Sequence, residues 1–154
     1  MIDFDFTFHL LHAIFCYLII DKYIVNLDTI CLVAVLITFA LPDIDHKNSI
    51  LGSRLHLSWI FNILGGHRGF THSLICYLLV SFISFKISEY VYTPQVLYGT
   101  LIGYGSHLLA DTTTPKGIKL LWPLPINVRI PIICKFKVVS SLLWIFVFFY
   151  LLNL

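Results

Sequence analysis

Charged side chains are scarce in this sequence. Lys and Arg number 10 and Asp and Glu number 8 among 154 residues, so 12% are charged, against roughly a quarter in average globular chains. Apolar residues reach 58%, and the mean hydropathy is +0.90. A soluble domain of about 150 residues buries only about 70% of its unfolded surface. This composition therefore excludes an ordinary cytosolic enzyme and a disordered chain, and it indicates lipid as the main solvent.

Closely spaced cysteines and strong net charge are also lacking. The four cysteines form no CxxC pair, which argues against a secreted disulfide scaffold and against a thiolate zinc site. We expect them to pack as small apolar side chains. No cleavable signal peptide is expected, because Asp3 and Asp5 replace a basic N-terminal region. The formal net charge of +2 is too small to indicate a nucleic-acid partner.

The hydropathy pattern predicts one all-α membrane domain over residues 1–154, a compact bundle of about five short hydrophobic helices. Several are shorter than the ~20 residues that a full hydrocarbon crossing needs. A further amphipathic helix at 49–64 is expected to lie along the membrane interface. Segment 112–131 contains four prolines and is predicted to be a shaped loop. The five candidate spans are residues 6–20, 23–41, 70–87, 92–110 and 138–154.

The distribution of Lys and Arg predicts the orientation in the membrane. The side that holds the N-terminus and the loops 42–69 and 111–137 carries eight of them, whereas the opposite side has Lys22 and Lys86. The positive-inside rule places the eight in the cytoplasm, although Lys22 alone favours the reverse for the first helix. We therefore expect a multi-pass protein of the inner (plasma) membrane, with its Pro-rich loop in the cytoplasm. The eight are Lys47, Arg54, Arg68, Lys116, Lys119, Arg129, Lys135 and Lys137.

Polar residues gather at the cytoplasmic ends of the predicted spans. One group closes the second span, another opens the third, and two residues four apart end the fourth, so one helical face presents both. Some of them could simply cap helices, but ionisable groups near a bilayer by default face a cavity and serve a function. We predict that they share one pocket. The candidate metal ligands are His9, Asp43, Asp45, His46, His67, His72, His107 and Asp111.

These side chains favour a metal site. Imidazole and carboxylate donors without thiolates suit zinc best, with manganese or iron as further options. Eight donors suffice for one ion or for two, and two would lie ~3.5–4 Å apart and activate a water. Arg68 is predicted to bind a phosphate or a developing oxyanion. Asp43 and Asp45 are both candidates for the general base, and the spacing does not choose between them.

Three sequence blocks in order resemble a known family: LPDIDH at 41–46, GHRGFTHSL at 66–74 and GYGSHLLADTTTPKGIKLLWP at 103–123. They are similar to the signature blocks of the YdjM-type membrane-bound metal-dependent hydrolases, and FHLL at 8–11 resembles the N-terminal histidine block of that family. The resemblance covers nearly the whole chain, up to Ile133, and the short C-terminus after Lys137 departs from the family pattern. It also implies a distant likeness to the zinc-dependent phospholipase C superfamily, which is all-helical with a multi-zinc site of His and Asp. His107 and Asp111 then resemble its paired zinc ligands.

The leading hypothesis is a membrane-embedded hydrolase acting on a phosphoester, one that is lipid-linked or reaches the site at the cytoplasmic interface. Membrane lipid and a phosphoester or phospholipid are the expected partners. One rival is an ion transporter, but transport sites usually lie near the midplane, and here the polar groups gather at one end. The others are a haem protein with paired histidines and a metal-binding protein without turnover. His12 is expected to pack, and His56 to lie at the headgroups.

Overall fold

The protein is described here by a computed structural model covering residues 6–46, 68–130, 142, 145–147 and 149–150. The described part is helical, with one isolated antiparallel bridge between Ile118 and Val128, so the predicted all-α class is confirmed for these residues. Residues 6–46 and 68–130 contain two 3-10 helices, η1 and η2, and four α-helices, and the described residues after 141 are also helical. The order is α1 (Phe6–Tyr23), α2 (Thr29–Thr38), η1 (Pro42–Asp45), η2 (Phe70–His72), α3 (Leu74–Tyr90) and α4 (Gln95–Thr112).

The second helix is much shorter than the predicted span 23–41. Asp28 caps it, because the Asp28 side chain accepts a hydrogen bond from the backbone N–H of Cys31 at 2.9 Å. Asp21, in the last turn of α1, accepts a hydrogen bond from the backbone N–H of Leu27 at 2.8 Å. These two carboxylates hold an irregular link where hydropathy alone predicts helix. The ten residues of α2 reach only about 15 Å at 1.5 Å per residue.

Two glycines let α4 pack closely against α2. A Cβ atom at Gly99 would lie 2.4 Å from the carbonyl oxygen of Cys31, and one at Gly103 would lie 2.4 Å from Oγ1 of Thr38. Small residues four apart allow such close approach of two helix backbones. His107 and Asp111 continue the same four-residue spacing along α4. The glycines therefore fix the position of the two polar residues relative to the end of α2.

Helix α3 buries three serines and exposes large apolar side chains. Ser81, Ser84 and Ser88 are buried, and the hydroxyls of Ser84 and Thr100 lie 2.7 Å apart, which links α3 to α4. The outward face carries large apolar side chains, with Phe82 59% exposed. A water-soluble helix normally shows the opposite distribution. The exposed apolar side chains of α3 include Leu74, Ile75, Leu78, Leu79, Phe82, Ile83 and Phe85.

The predicted membrane spans are not confirmed. None of the described helices combines the length and the apolar character that a membrane crossing needs. Length is the reason for α2, whereas the 18 residues of α1 include His9, His12, Asp21 and Lys22. The interfacial helix at 49–64 lies outside the described residues, as does most of the span at 138–154.

The Pro-rich segment is a folded loop, as predicted, over its described residues 112–130. The N–H groups of Ile118 and Val128 donate to each other's carbonyl oxygens at 3.1 and 2.8 Å. Gly117 turns the chain with φ +63°, and a Cβ there would lie 2.5 Å from the carbonyl oxygen of Val128. Leu120 accepts a hydrogen bond from the N–H of Leu74 at 2.8 Å. The loop therefore closes over the start of α3.

Candidate metal centre

Four helix ends meet at one place in the described structure. His9 lies in the first turns of α1 and Asp43 just beyond α2, while His72 immediately precedes α3. His107 and Asp111 lie in the last turns of α4. The expectation that polar residues converge at one end of the bundle is therefore confirmed for these five side chains, whose contacts follow.

The donor atoms form two overlapping groups. In one, ligand atoms of His9, Asp43 and His107 lie within 4.8 Å of one another, and in the other the same holds for His72, His107 and Asp111. His72 Nε2 lies 3.2 Å from Asp111 Oδ2 and 3.8 Å from Asp43 Oδ1. His107 Nε2 lies 3.7 Å from each of the same two oxygens. Two imidazoles and two carboxylates thus surround one small volume.

A backbone carbonyl fixes the orientation of His107. Its Nδ1 atom donates a hydrogen bond to the carbonyl oxygen of Phe39 at 2.7 Å, so Nε2 carries the ring's lone pair. Nε2 is buried and makes no hydrogen bond within the described part of the chain. The ring of His9 stacks on that of His107 with centroids 3.9 Å apart. A buried imidazole nitrogen directed at two carboxylates matches a ligand held ready for a cation.

Asp45 supports the centre and belongs to neither donor group. Its Oδ2 atom accepts hydrogen bonds from the backbone N–H of Arg68 at 3.0 Å and from the hydroxyl of Thr71 at 2.8 Å. The Thr71 oxygen in turn lies 3.1 Å from Nδ1 of His72. Because the Thr71 hydrogen goes to Asp45, Nδ1 of His72 donates and its Nε2 is directed at the other donors. Arg68 adopts φ +63°, and the bond from its N–H to Asp45 holds this unusual backbone.

The Arg68 side chain points into the centre. Its guanidinium donates to Asp111 Oδ1 at 3.0 Å and to the hydroxyl of Thr114 at 2.9 Å. Arg68 is buried. The side chain predicted to bind an anion therefore lies beside the candidate ligands and is hydrogen-bonded to one of them, Asp111. The roles of Thr71 and Thr114 were not predicted; their only signal in the sequence is that each lies next to a histidine or proline inside a motif block.

The charges of His72 and Asp111 are coupled. Burial lowers the pKa of His72, but hydrogen bonds with Asp111 and Asp45 outweigh it and raise this pKa to about 9. Burial raises the pKa of Asp111, whereas the hydrogen bond from His72 and the nearby imidazoles hold this pKa well below its usual value. An imidazolium beside a carboxylate takes the place that a divalent cation needs, so metal binding would release that proton.

Three further histidines, His12, His46 and His67, are not among the donors described above. His46 follows η1 and belongs to neither of the donor groups found among the described residues. His67 lies outside the described residues, and its ligand role stays a prediction. His12 donates from Nδ1 to the carbonyl oxygen of Ser106 at 3.0 Å and stacks on Phe8, as expected for a packing residue.

Comparison with known proteins identifies the family of the chain. The YdjM inner membrane protein family matches residues 4–153, almost the entire chain. The chain belongs to the YdjM family. The resemblance of the motif blocks to the YdjM family is therefore confirmed, and this membership supports a location in the inner membrane. The hydrolase activity and the phospholipase C likeness stay predictions. No solved structure matches the chain.

Curated YdjM relatives share part of their length with the chain. The inner membrane protein YdjM of Escherichia coli (strain K12) is 44% identical over 107 residues, which cover 66% of this chain and 54% of the relative. The YdjM protein of Shigella flexneri shows the same values. The protein YvsG of Bacillus subtilis (strain 168) is 42% identical over 96 residues, or 62% of this chain and 58% of the relative. The chain thus spans little more than half the length of these relatives.

Proposed function

We propose that the protein is a metal-dependent hydrolase of the inner membrane that cleaves a phosphoester. The observation that carries the proposal is the buried Nε2 atom of His107, directed at Asp43 and Asp111 beside a second imidazole. Nitrogen and carboxylate donors without sulfur fit zinc best, and manganese or iron next. His72, His107, Asp43 and Asp111 would hold the ion, with His9 beside them. When bound there, a divalent ion would supply Lewis acidity for the activation of water.

The exposed edge of the centre lies at Asp43. Its side chain is 27% exposed, whereas those of His72, His107 and Asp111 are buried. A substrate and the attacking water would therefore enter past Asp43. As the most exposed of the four ligands, Asp43 would be the one to leave the ion, admit the water and act as the general base. Asp45, buried and already accepting two hydrogen bonds, acts instead by holding Arg68 and Thr71 in place.

The positive charge of Arg68 supports a phosphoester over a neutral substrate. Its guanidinium is fixed to Asp111 and Thr114, and further Arg N–H groups remain to face an anion. A fixed cation at a water-poor site stabilises negative charge that grows on phosphoryl oxygens during displacement. The substrate class follows from this charge, and a lipid-linked phosphoester is the favoured source because the family is an inner membrane family.

The surface of α3 supports contact with lipid. Buried serines face α4 while large apolar side chains face outwards, a distribution expected where hydrocarbon replaces water as the solvent. We therefore place the protein as a multi-pass protein with its metal centre at the cytoplasmic interface, in line with the Lys and Arg distribution.

Hydrolysis is tested with detergent-purified protein loaded with zinc or manganese. A panel of aryl phosphodiesters, phosphomonoesters and phospholipids should yield a metal-dependent product that Asp43→Asn abolishes. The matched control is Asp28→Asn, which alters a carboxylate at the opposite end of α2. Absence of turnover across the panel with a fully loaded centre would reject the hydrolase.

Ion transit is a second candidate, favoured by the buried hydroxyls between α3 and α4. Ser81, Ser84 and Thr100 are buried, and they place polar atoms away from the metal centre. Two of these three hydroxyls have local partners: Thr100 donates to the carbonyl oxygen of Val96 at 2.9 Å, and the hydroxyls of Ser84 and Thr100 lie 2.7 Å apart. Metal flux into proteoliposomes, lost in Ser84→Val, would support transit over hydrolysis.

A further inference from the structure

The two donor groups share a single nitrogen atom. Both include His107, and its Nδ1 atom already donates to the carbonyl oxygen of Phe39 at 2.7 Å. Only Nε2 remains as a ligand atom, and an imidazole lone pair binds one ion. The two donor groups therefore cannot each bind an ion with three ligands at the same time. We assign both groups to one centre.

The distances among four donors fit one ion. For a tetrahedral centre with metal–nitrogen and metal–oxygen bonds of about 2.0–2.1 Å, adjacent ligand atoms lie roughly 3.3 Å apart. His72 Nε2 lies 3.2 Å from Asp111 Oδ2 and 3.8 Å from Asp43 Oδ1. His107 Nε2 lies 3.7 Å from each oxygen. These four distances lie within about 0.5 Å of that value, so the four donors can bind one ion.

Within residues 6–46 and 68–130, few carboxylate oxygens are placed to bind a second ion. A dinuclear centre usually needs a carboxylate that bridges both ions, and the buried Asp111 carboxylate lies within 3.8 Å of the Nε2 atoms of His9, His72 and His107. Its second oxygen, Oδ1, accepts from the Arg68 guanidinium at 3.0 Å, which places a fixed positive charge where the second cation would bind. Oδ2 of Asp45 is also engaged, by the N–H of Arg68 and by Thr71.

We infer that the protein binds one divalent ion per chain, held by His72, His107, Asp43 and Asp111, and that Arg68 excludes a second ion by occupying Oδ1 of Asp111. This inference rests on the metal centre of the proposed function, and it departs from the multi-zinc site that the phospholipase C likeness implies. Arg68 then has two roles at this position: it prevents a second ion from binding, and its own positive charge faces the substrate anion.

Metal stoichiometry tests the inference without an activity assay. The full chain in detergent, stripped of metal and titrated with Mn²⁺, should bind one ion per chain by elemental analysis after desalting. Its electron paramagnetic resonance spectrum should be that of an isolated Mn²⁺, without exchange coupling. His107→Ala should lose the ion, and His12→Ala, which removes a buried histidine outside both groups, should keep it. Circular dichroism and elution volume show whether His107→Ala remains folded.

The outcomes separate the two proposals. Two ions per chain, or an exchange-coupled manganese pair, would overturn the single-ion inference and leave a metal-dependent hydrolase in place. One ion per chain without turnover of any phosphoester would support the single-ion inference and reject the hydrolase. If folded His107→Ala retained a stoichiometric ion, the inference would be overturned, because the inference requires His107 as a ligand in both donor groups.

Discussion

The Nδ1 atom of His107 lies 2.7 Å from the carbonyl oxygen of Phe39, so the end of α2 orients the central ligand of the metal centre. A main-chain acceptor cannot be removed by a side-chain substitution, and it sets the ring tautomer through the path of the backbone. The position of α2 against α4 therefore decides whether His107 can bind metal. This relationship links helix packing to the chemistry of the site.

Gly103→Ala should destabilise the protein and weaken metal binding together. The new Cβ would lie 2.4 Å from Oγ1 of Thr38 and 2.7 Å from the carbonyl oxygen of Val35, so α2 must move away. We expect a loss of about 1–3 kcal/mol in the free energy of unfolding, measured by denaturation in detergent. Gly105→Ala is the control, because its Cβ would lie 3.4 Å from the nearest Tyr77 atom. Equal stability of the two variants would contradict this packing.

Asp45→Ala should weaken metal binding although Asp45 is not one of the four proposed ligands. Its carboxylate holds Thr71 and the backbone of Arg68, and loss of such support typically costs 10–100-fold in metal affinity. The measurement is competition with a chromophoric chelator. Asp28→Ala is matched, since it also removes a carboxylate that accepts a backbone N–H; it should cost ~1 kcal/mol of stability with unchanged metal affinity. An unaltered affinity in Asp45→Ala would remove its positioning role.

Arg68→Met should retain the metal and lose turnover. Met has a length similar to that of Arg but is uncharged, so the substitution removes the charge beside Asp111 and Thr114. If that charge stabilises a developing oxyanion, kcat should fall by about 10²–10³-fold with the first ion still bound. Steady-state kinetics on a phosphoester that turns over would measure this, with metal content determined on the same sample. Unchanged kcat would contradict the proposed role of Arg68 in stabilising the developing negative charge.

Phe82→Asp should reduce membrane retention. Phe82 lies on the outward apolar face of α3 and is 59% exposed, so a carboxylate there would enter hydrocarbon at a cost of a few kcal/mol. The fraction that remains in membranes after an alkaline carbonate wash is the measurement. Tyr92→Asp is the control, because Tyr92 is 95% exposed in the turn after α3. If both variants are retained equally, this face of α3 does not contact lipid.

The sequence was sufficient for the helical class and for the convergence of His9, Asp43, His72, His107 and Asp111, because hydropathy marks the helices and the polar residues mark one end of them. It was not sufficient for the length of α2. The Asp28 cap starts α2 at Thr29, inside the predicted span 23–41, and hydropathy does not mark that start.

The distinction between Asp43 and Asp45 also required the structure. Two residues apart in η1, the two carboxylates have the same chemistry, and only their neighbours separate them. Asp45 receives the N–H of Arg68 from a segment 23 residues later. The inward direction of the Arg68 side chain depends likewise on Thr114, which lies 46 residues away. Contacts between distant segments such as these leave no local pattern.

X-ray absorption spectroscopy at the zinc edge of the loaded protein tests the proposed centre most directly. We expect a first shell of nitrogen and oxygen at about 2.0–2.2 Å, no sulfur, and outer-shell scattering from at least two imidazole rings that disappears in His107→Ala together with the bound zinc. A first shell containing sulfur at about 2.3 Å, or one without imidazole, would contradict a centre built by His72, His107, Asp43 and Asp111.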